Sequence, residues 1–177
     1  LPDTTLLIHG STVVINAVLE RKGAKTALIT TQGFKDIYEI GRVNRPDSFN
    51  LNFRKHRPLI PAELRFEVEE RMDPQGKALI AFNDDQAADL AKSIAATDIE
   101  AVAVLFLHSY RNPDHEQRMV EILAAHAPHL YVTASHEVSR EYREFERTST
   151  VAVNAFVGPR VSSYLDALEQ RARDHGM

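Results

Sequence analysis

The junction Ile8-His9-Gly10-Ser11-Thr12, running on into Val13-Val14-Ile15-Asn16-Ala17-Val18-Leu19-Glu20-Arg21-Lys22-Gly23, constrains this chain more than any other stretch. An apolar strand, Thr5 to Ile8, is expected to end in a one-glycine turn. Ser11 or Thr12 is then expected to cap a helix whose apolar residues recur at helical spacing, with Gly23 as its stop. Such a junction aims several unpaired backbone N–H groups at one point, at the positive end of the helix dipole. An anion, often a phosphate, suits that place. The geometry is equally compatible with no ligand, because strand–turn–helix junctions are general features of α/β folds.

The alternation continues downstream. Lys25 to Thr31 reads as a strand broken by Gly33, and Phe34 to Ile40 as a short helix closed by Gly41. Residues 41 to 63 hold no period. They carry Pro46, Pro58 and Pro61, and Arg42, Arg45, Arg54, Lys55 and Arg57 against Asp47 and Glu63. A long basic loop has the profile of a lid over an anionic ligand, or of a solvated or partner-docking loop. Arg65 to Met72 and Lys77 to Phe82 flank Asp73-Pro74-Gln75-Gly76, which predicts a hairpin. Asn83, with Gln86 three residues on, predicts a capping box opening a helix with Ala87, Leu90, Ala91, Ile94 and Ala95 on its apolar stripe.

Ala101 to Leu107 is a continuous apolar run, as expected of a strand buried on both faces of a parallel sheet. Asn112-Pro113 opens a further helix with Met119, Ile122 and Leu123 inward, and Leu130 to Thr133 is a short strand. From about Glu141 the chain reads as helix, broken near Gly158-Pro159. The whole predicts an α/β fold with a mainly parallel sheet and an inserted β-hairpin.

Composition narrows the partners. With a formal charge of −4 and a pI near 6.1, the 177-residue chain is not expected to bind nucleic acid or an anionic membrane. It has no cysteine, and none of its apolar runs is long enough to span a bilayer. No secretory signal is visible, and a cytoplasmic location is expected. The chain opens with Leu1-Pro2-Asp3 rather than methionine, and is expected to start inside a longer product.

Three histidines, His9, His108 and His136, stand just past predicted strands. If those strands are parallel neighbours, three imidazoles collect on one sheet edge, where proton transfer or metal binding could follow. Alternatively, each hydrogen-bonds a loop carbonyl, and no metal site is assigned. His126 and His129, around Pro128, read as a frayed helix end. Glu144-Phe145-Glu146-Arg147-Thr148-Ser149-Thr150 interleaves acids, a guanidinium and hydroxyls within an apolar helical region. Such groups need internal partners, a ligand or another domain. Asn16 and Asn154 raise the same question.

At these residues the sequence resembles the hydantoinase A/5-oxoprolinase family. The resemblance rests on His9-Gly10-Ser11-Thr12 with Asn16-Ala17-Val18-Leu19-Glu20-Arg21-Lys22-Gly23-Ala24-Lys25-Thr26-Ala27-Leu28-Ile29-Thr30-Thr31, Gly33-Phe34-Lys35-Asp36 and Glu39-Ile40-Gly41-Arg42. Leu107-His108-Ser109-Tyr110-Arg111-Asn112-Pro113 with His115-Glu116, and Glu146-Arg147-Thr148-Ser149-Thr150 with Asn154-Ala155, continue it. Ser11 and Ile15 stand where threonine is common in the family. Ser11 keeps a hydroxyl and Ile15 does not.

The resemblance implies an incomplete actin-like ATPase (ribonuclease H-like) lobe: residues 1–177 as an amino-terminal domain lacking the first phosphate-binding strands and the domain that follows. It implies a part in an ATP-dependent hydrolase that opens a five-membered cyclic amide through a phosphorylated carbonyl. The alternatives are a subunit of an ATP-dependent ketone carboxylase, or a non-catalytic partner-docking domain. ATP and a divalent cation (Mg or Mn) are implied for the complete enzyme and neither for this piece, which is expected to be inactive alone. A second, hydantoinase B-like subunit or domain and a small cyclic amide are the implied partners, and homo-oligomers are compatible with it. The residues expected to contact substrate or nucleotide are His9, Gly10, Ser11, Thr12, Asn16, Arg42, Arg45, His108, Arg147 and Thr148.

Overall fold

The computed structural model describes residues 8–42, 49–53 and 57–176. The expected strand Thr5–Ile8 therefore lies outside them except for Ile8, as do Arg45, Arg54 and Lys55.

Four strands form a parallel sheet in the order β2-β1-β5-β6: β1 (Thr26–Thr31), β2 (Arg65–Val68), β5 (Ala101–Leu105) and β6 (Tyr131–Ala134). Every residue of β1 and β5 is buried, because helices cover both faces of the sheet. Side chains of the central strand alternate. Val102 and Val104 join Ala27 and Ile29 under α3 (Asp84–Ala95) and α4 (Asp114–His126). Ala101, Ala103 and Leu105 join Leu28 on the other face, beneath Val151, Ala152 and Ala155 of the long helix α6 (Glu144–Asp174). Small residues on both sides of that second contact let the helix lie close to the sheet.

Several expectations change. The first predicted arm of the hairpin is split. Arg65–Val68 pairs in parallel with β1, and only β3 (Arg71–Met72) pairs antiparallel with β4 (Ala78–Ile80). An alternating strand can extend either sheet. The free edge of β1 takes its first half as far as Val68, and Glu70 beyond it turns fully inward. The turn itself is as read: the Asp73 carboxylate accepts from the Gln75 and Lys77 amides at 2.8 and 2.9 Å, and Gly76 has φ +85°.

Second, the terminal helix is not broken at Gly158-Pro159; α6 runs through 31 residues. Proline removes one N–H from the helix ladder, the one that would pair with the Ala155 carbonyl. Next to it, the Phe156 carbonyl accepts from the Ala24 amide at 2.8 Å, which ties α6 to the start of β1. Gly158 is required by contact rather than by flexibility: a Cβ there would stand 2.2 Å from the Tyr131 ring.

Third, the capping box is half formed. Asn83 accepts from the Gln86 amide at 3.1 Å, but the Gln86 side chain accepts from Glu69 at 2.7 Å.

The opening helix α1 (Val13–Leu19) is only seven residues long. It ends before Gly23, whose added Cβ would meet the Phe156 ring at 2.3 Å. Its first turn has no side-chain cap from Thr12, and Ser11 Oγ accepts the Val13 amide at 3.2 Å. A short helix α2 (Ile37–Ile40) ends at Gly41 with φ +59°, and α5 (Ser135–Val138) follows β6 directly.

Candidate functional site

In parallel sheets the ligand edge is the carboxyl end of the strands. Here that edge carries a buried polar network, centred on two acids that composition alone would not mark.

Glu116, fully buried on α4, accepts through Oε1 from the Phe106 amide (2.9 Å) and the Ser135 hydroxyl (2.6 Å). Its Oε2 accepts from the His136 amide (3.0 Å) and stands 2.6 Å from His136 Nδ1. A carboxylate offers only acceptors, which places the ring proton of His136 on Nδ1. Ser135 spends its proton on Glu116, so Ser109, 3.1 Å away, donates to it. Glu70 stands 2.7 Å from His115 Nδ1 and accepts from the Thr31 hydroxyl, whose oxygen in turn accepts the Leu107 amide at 3.1 Å.

Arg147, with no exposed surface, donates to the carbonyls of Phe106 (2.7 Å) and Glu141 (3.1 Å) and lies over the Tyr110 ring. Burial lowers its pKa from the ordinary arginine value, against the opposing pull of Glu116, Glu144 and Tyr110. These bonds strap residues 106–109 from both sides. Within the strap His108 holds φ +57°, a conformation non-glycine residues rarely keep without such support. Its Nδ1 is buried without a partner among the described residues, and its ring meets Tyr110 edge-on.

The expected contact residues separate into two groups. His108, Arg147 and Thr148 gather at the carboxyl edge, His108 and Arg147 against the same Tyr110 ring. Thr148 spends its hydroxyl on the Glu144 carbonyl at 2.7 Å. Arg42 joins this end by an ion pair with Glu146. Burial pushes the Glu146 carboxyl up, but the Arg42 hydrogen bond and the charges of Arg42 and Arg143 together hold it below the usual range.

His9, by contrast, bonds Tyr164 Oη, far down the same helix. Gly10, Ser11, Thr12 and Asn16 are exposed around it, with Asn16 reaching only Thr12 Oγ1 at 3.4 Å. The helix places Glu146 and Tyr164 about 27 Å apart at 1.5 Å per residue. The three-histidine edge is thus a two-histidine edge, His108 and His136, since β5 and β6 are neighbours and His9 stands elsewhere. Among the described residues no group of three or more His, Cys, Asp or Glu could hold a metal ion. His126 and His129 are exposed, as read.

Glu116 was nevertheless visible in the sequence. It stands three residues before Met119 and seven before Leu123, on the buried stripe of α4. Glu70 carried no comparable signal.

Residues 2–127 match the family described as hydantoinase/oxoprolinase N-terminal region. The chain belongs to this family. It is 44% identical over 163 residues to an uncharacterized protein of Methanocaldococcus jannaschii, covering 90% of this chain and 24% of the relative. The crystal structure of an ATP-dependent caprolactamase from Pseudomonas jessenii superposes with a TM-score of 0.91 at 30% identity, over 99% of this chain and 26% of that one. A nucleotide-free acetone carboxylase structure matches with a TM-score of 0.83 at 29% identity, over 93% and 25%. The fold is therefore the α/β lobe of actin-like ATPase type that the resemblance implied. The chain spans about a quarter of the length of these relatives.

Proposed function

We propose that this chain is the amino-terminal part of a larger ATP-dependent hydrolase that opens a cyclic amide, with five-membered hydantoin- or 5-oxoproline-type rings as substrate. Likeness to an ATP-dependent caprolactamase along nearly the whole chain carries this reading. Caprolactam is a seven-membered lactam, and the oxoprolinase branch of the family supports the smaller ring.

The shared difficulty is chemical. An amide carbonyl is a poor electrophile, and transfer of the γ-phosphoryl group of ATP to its oxygen activates the carbon: water adds there, the ring C–N bond breaks as the nitrogen leaves with a proton, and a second water releases phosphate from the acyl phosphate that remains. Such a transfer is catalysed chiefly by positioning and by neutralising charge. In this proposal the strapped 106–109 segment holds His108 toward the reacting groups, with Arg147 fixing the strap, Thr148 beside it, and Arg42 and Arg45 adding positive charge. The His9–Thr12 turn and Asn16 serve a different part of the ligands, because one small ring cannot span about 27 Å. The described residues do not fit a metal site, so the divalent cation is assigned to groups outside them and no step is routed through it. A hydantoinase B-like subunit or domain supplies the remaining surfaces.

A ketone carboxylase subunit is the second reading, favoured by the acetone carboxylase match. ADP release by the full-length protein with its partner separates the two. The leading reading expects release to depend on 5-oxoproline or hydantoin without bicarbonate. Release that needs acetone and bicarbonate together would replace it.

A further inference from the structure

A groove of about 280 Å³ lies between α1, α2, α6 and residues 57–59. Its walls include Val18, Leu59 and Phe145, and its polar lining includes Arg21, Arg57 and Tyr38. The volume is just below the range of about 300–1,000 Å³ typical of drug-sized ligands, which sets the scale of a small metabolite.

Among the described residues the charge in the groove is uncompensated. Arg21 donates to the carbonyls of Arg57 and Pro58, which are neutral, and among the described residues neither arginine pairs with a carboxylate. Nearby acids are already engaged: Glu146 by Arg42, Glu20 by Lys22 and Glu39 by Arg65. Arg21 also occupies a backbone position that favours glycine. It follows the end of α1 at φ +53°, where a left-handed residue closes the helix. An arginine held there has its guanidinium pinned by two carbonyls before any ligand arrives. Burial raises the Tyr38 pKa, against the opposing pull of the Leu59 backbone hydrogen bond and the Arg65 and Arg21 charges.

We infer that this groove binds a small monocarboxylate whose apolar body packs on Val18, Leu59 and Phe145 while its carboxylate meets Arg21 and Arg57. A single negative charge on an apolar body matches one cationic edge and one greasy wall. A phosphate would leave that wall unused. The inference is independent of the proposed reaction, since binding is read without turnover.

The test is calorimetric titration of the full-length protein with benzoate, with benzamide as the neutral counterpart and inorganic phosphate as competitor. Saturable benzoate binding that benzamide does not reproduce and phosphate does not displace is expected. Arg57→Gln should weaken benzoate at least about tenfold, the loss of one charge-assisted contact, and Arg57→Lys should recover part of it. Arg57 is chosen because Arg21 also holds the loop and its removal could disturb folding. Equal binding of benzamide, displacement by phosphate, no saturable benzoate binding, or an Arg57→Gln protein with unchanged affinity would each overturn the inference.

Discussion

Glu116→Ala should be among the most damaging single substitutions in this chain. The carboxylate satisfies two buried backbone amides, of Phe106 and His136, together with the Ser135 hydroxyl and His136 Nδ1. Alanine supplies no acceptor, and a buried donor left unmade costs about 1–3 kcal/mol. Two orphaned amides alone give about 2–6 kcal/mol. The void adds to that, while an entering water offsets part of it. Arg147 meanwhile loses a nearby opposing charge. A net loss of about 3–5 kcal/mol follows, as for other broken buried charge networks. That is a large share of the roughly 5–15 kcal/mol that holds a typical domain. Glu116→Gln keeps one acceptor but turns an NH₂ toward donors, and should lose about 1–3 kcal/mol. Urea unfolding followed by far-UV circular dichroism gives both numbers from the midpoints at constant slope. An alanine variant within about 0.5 kcal/mol of the parent, the range of an ordinary surface change, would refute the reasoning.

Gly158→Ala gains about 1 kcal/mol of helix propensity. It also drives a Cβ to 2.2 Å from the Tyr131 ring, and overpacking of about 1–3 kcal/mol should win, lowering Tm; a raised Tm would show that the ring moves freely. The Glu146 carboxyl is held below its free value, so the Arg42 pair stabilises fully above the unfolded pKa near 4.5 and fades as pH falls through the lower folded value. Arg42→Ala should therefore flatten the acid limb of a stability–pH curve, and an unchanged limb would remove the pair from the account. Tyr38 runs the other way: its raised pKa leaves stability intact below about pH 10, and stability then falls as pH rises through the folded value. Tyr38→Phe should remove that alkaline loss in a thermal-unfolding series from pH 9 to 11.5. In the full-length enzyme, Arg42→Ala should lower turnover while the fold survives, and unchanged kcat and KM would exclude Arg42 from the site.

Much of the scaffold was legible because strand burial and helix period write themselves locally. Ala101 to Leu107 read as an interior strand, of which Ala101–Leu105 forms β5, and Ala87, Ala91 and Ile94 read as a helix face. Arg65–Met72 misled because alternation does not say which neighbour a strand pairs with; that choice depended on the free edge of β1 and on Glu70. Proline at 159 misled because it takes away only one helix bond, and the packing of Val151, Ala152 and Ala155 against strands far away in sequence carries the helix through it. The site divides the same way. His108 could be picked out by its place just past a strand, and Arg147 and Thr148 as polar groups within an apolar helical region. That Arg42 faces Glu146 whereas His9 faces Tyr164 is a fact of tertiary packing.

The proposed reaction is tested most directly by oxygen tracing. The full-length enzyme and its partner would be given ATP and 5-oxoproline labelled with ¹⁸O in the ring carbonyl, and the inorganic phosphate analysed by mass spectrometry. Phosphorylation of the carbonyl oxygen, followed by attack of water at carbon, predicts that the label appears in the phosphate. Ring opening with all of the label retained in the new carboxylate would contradict it.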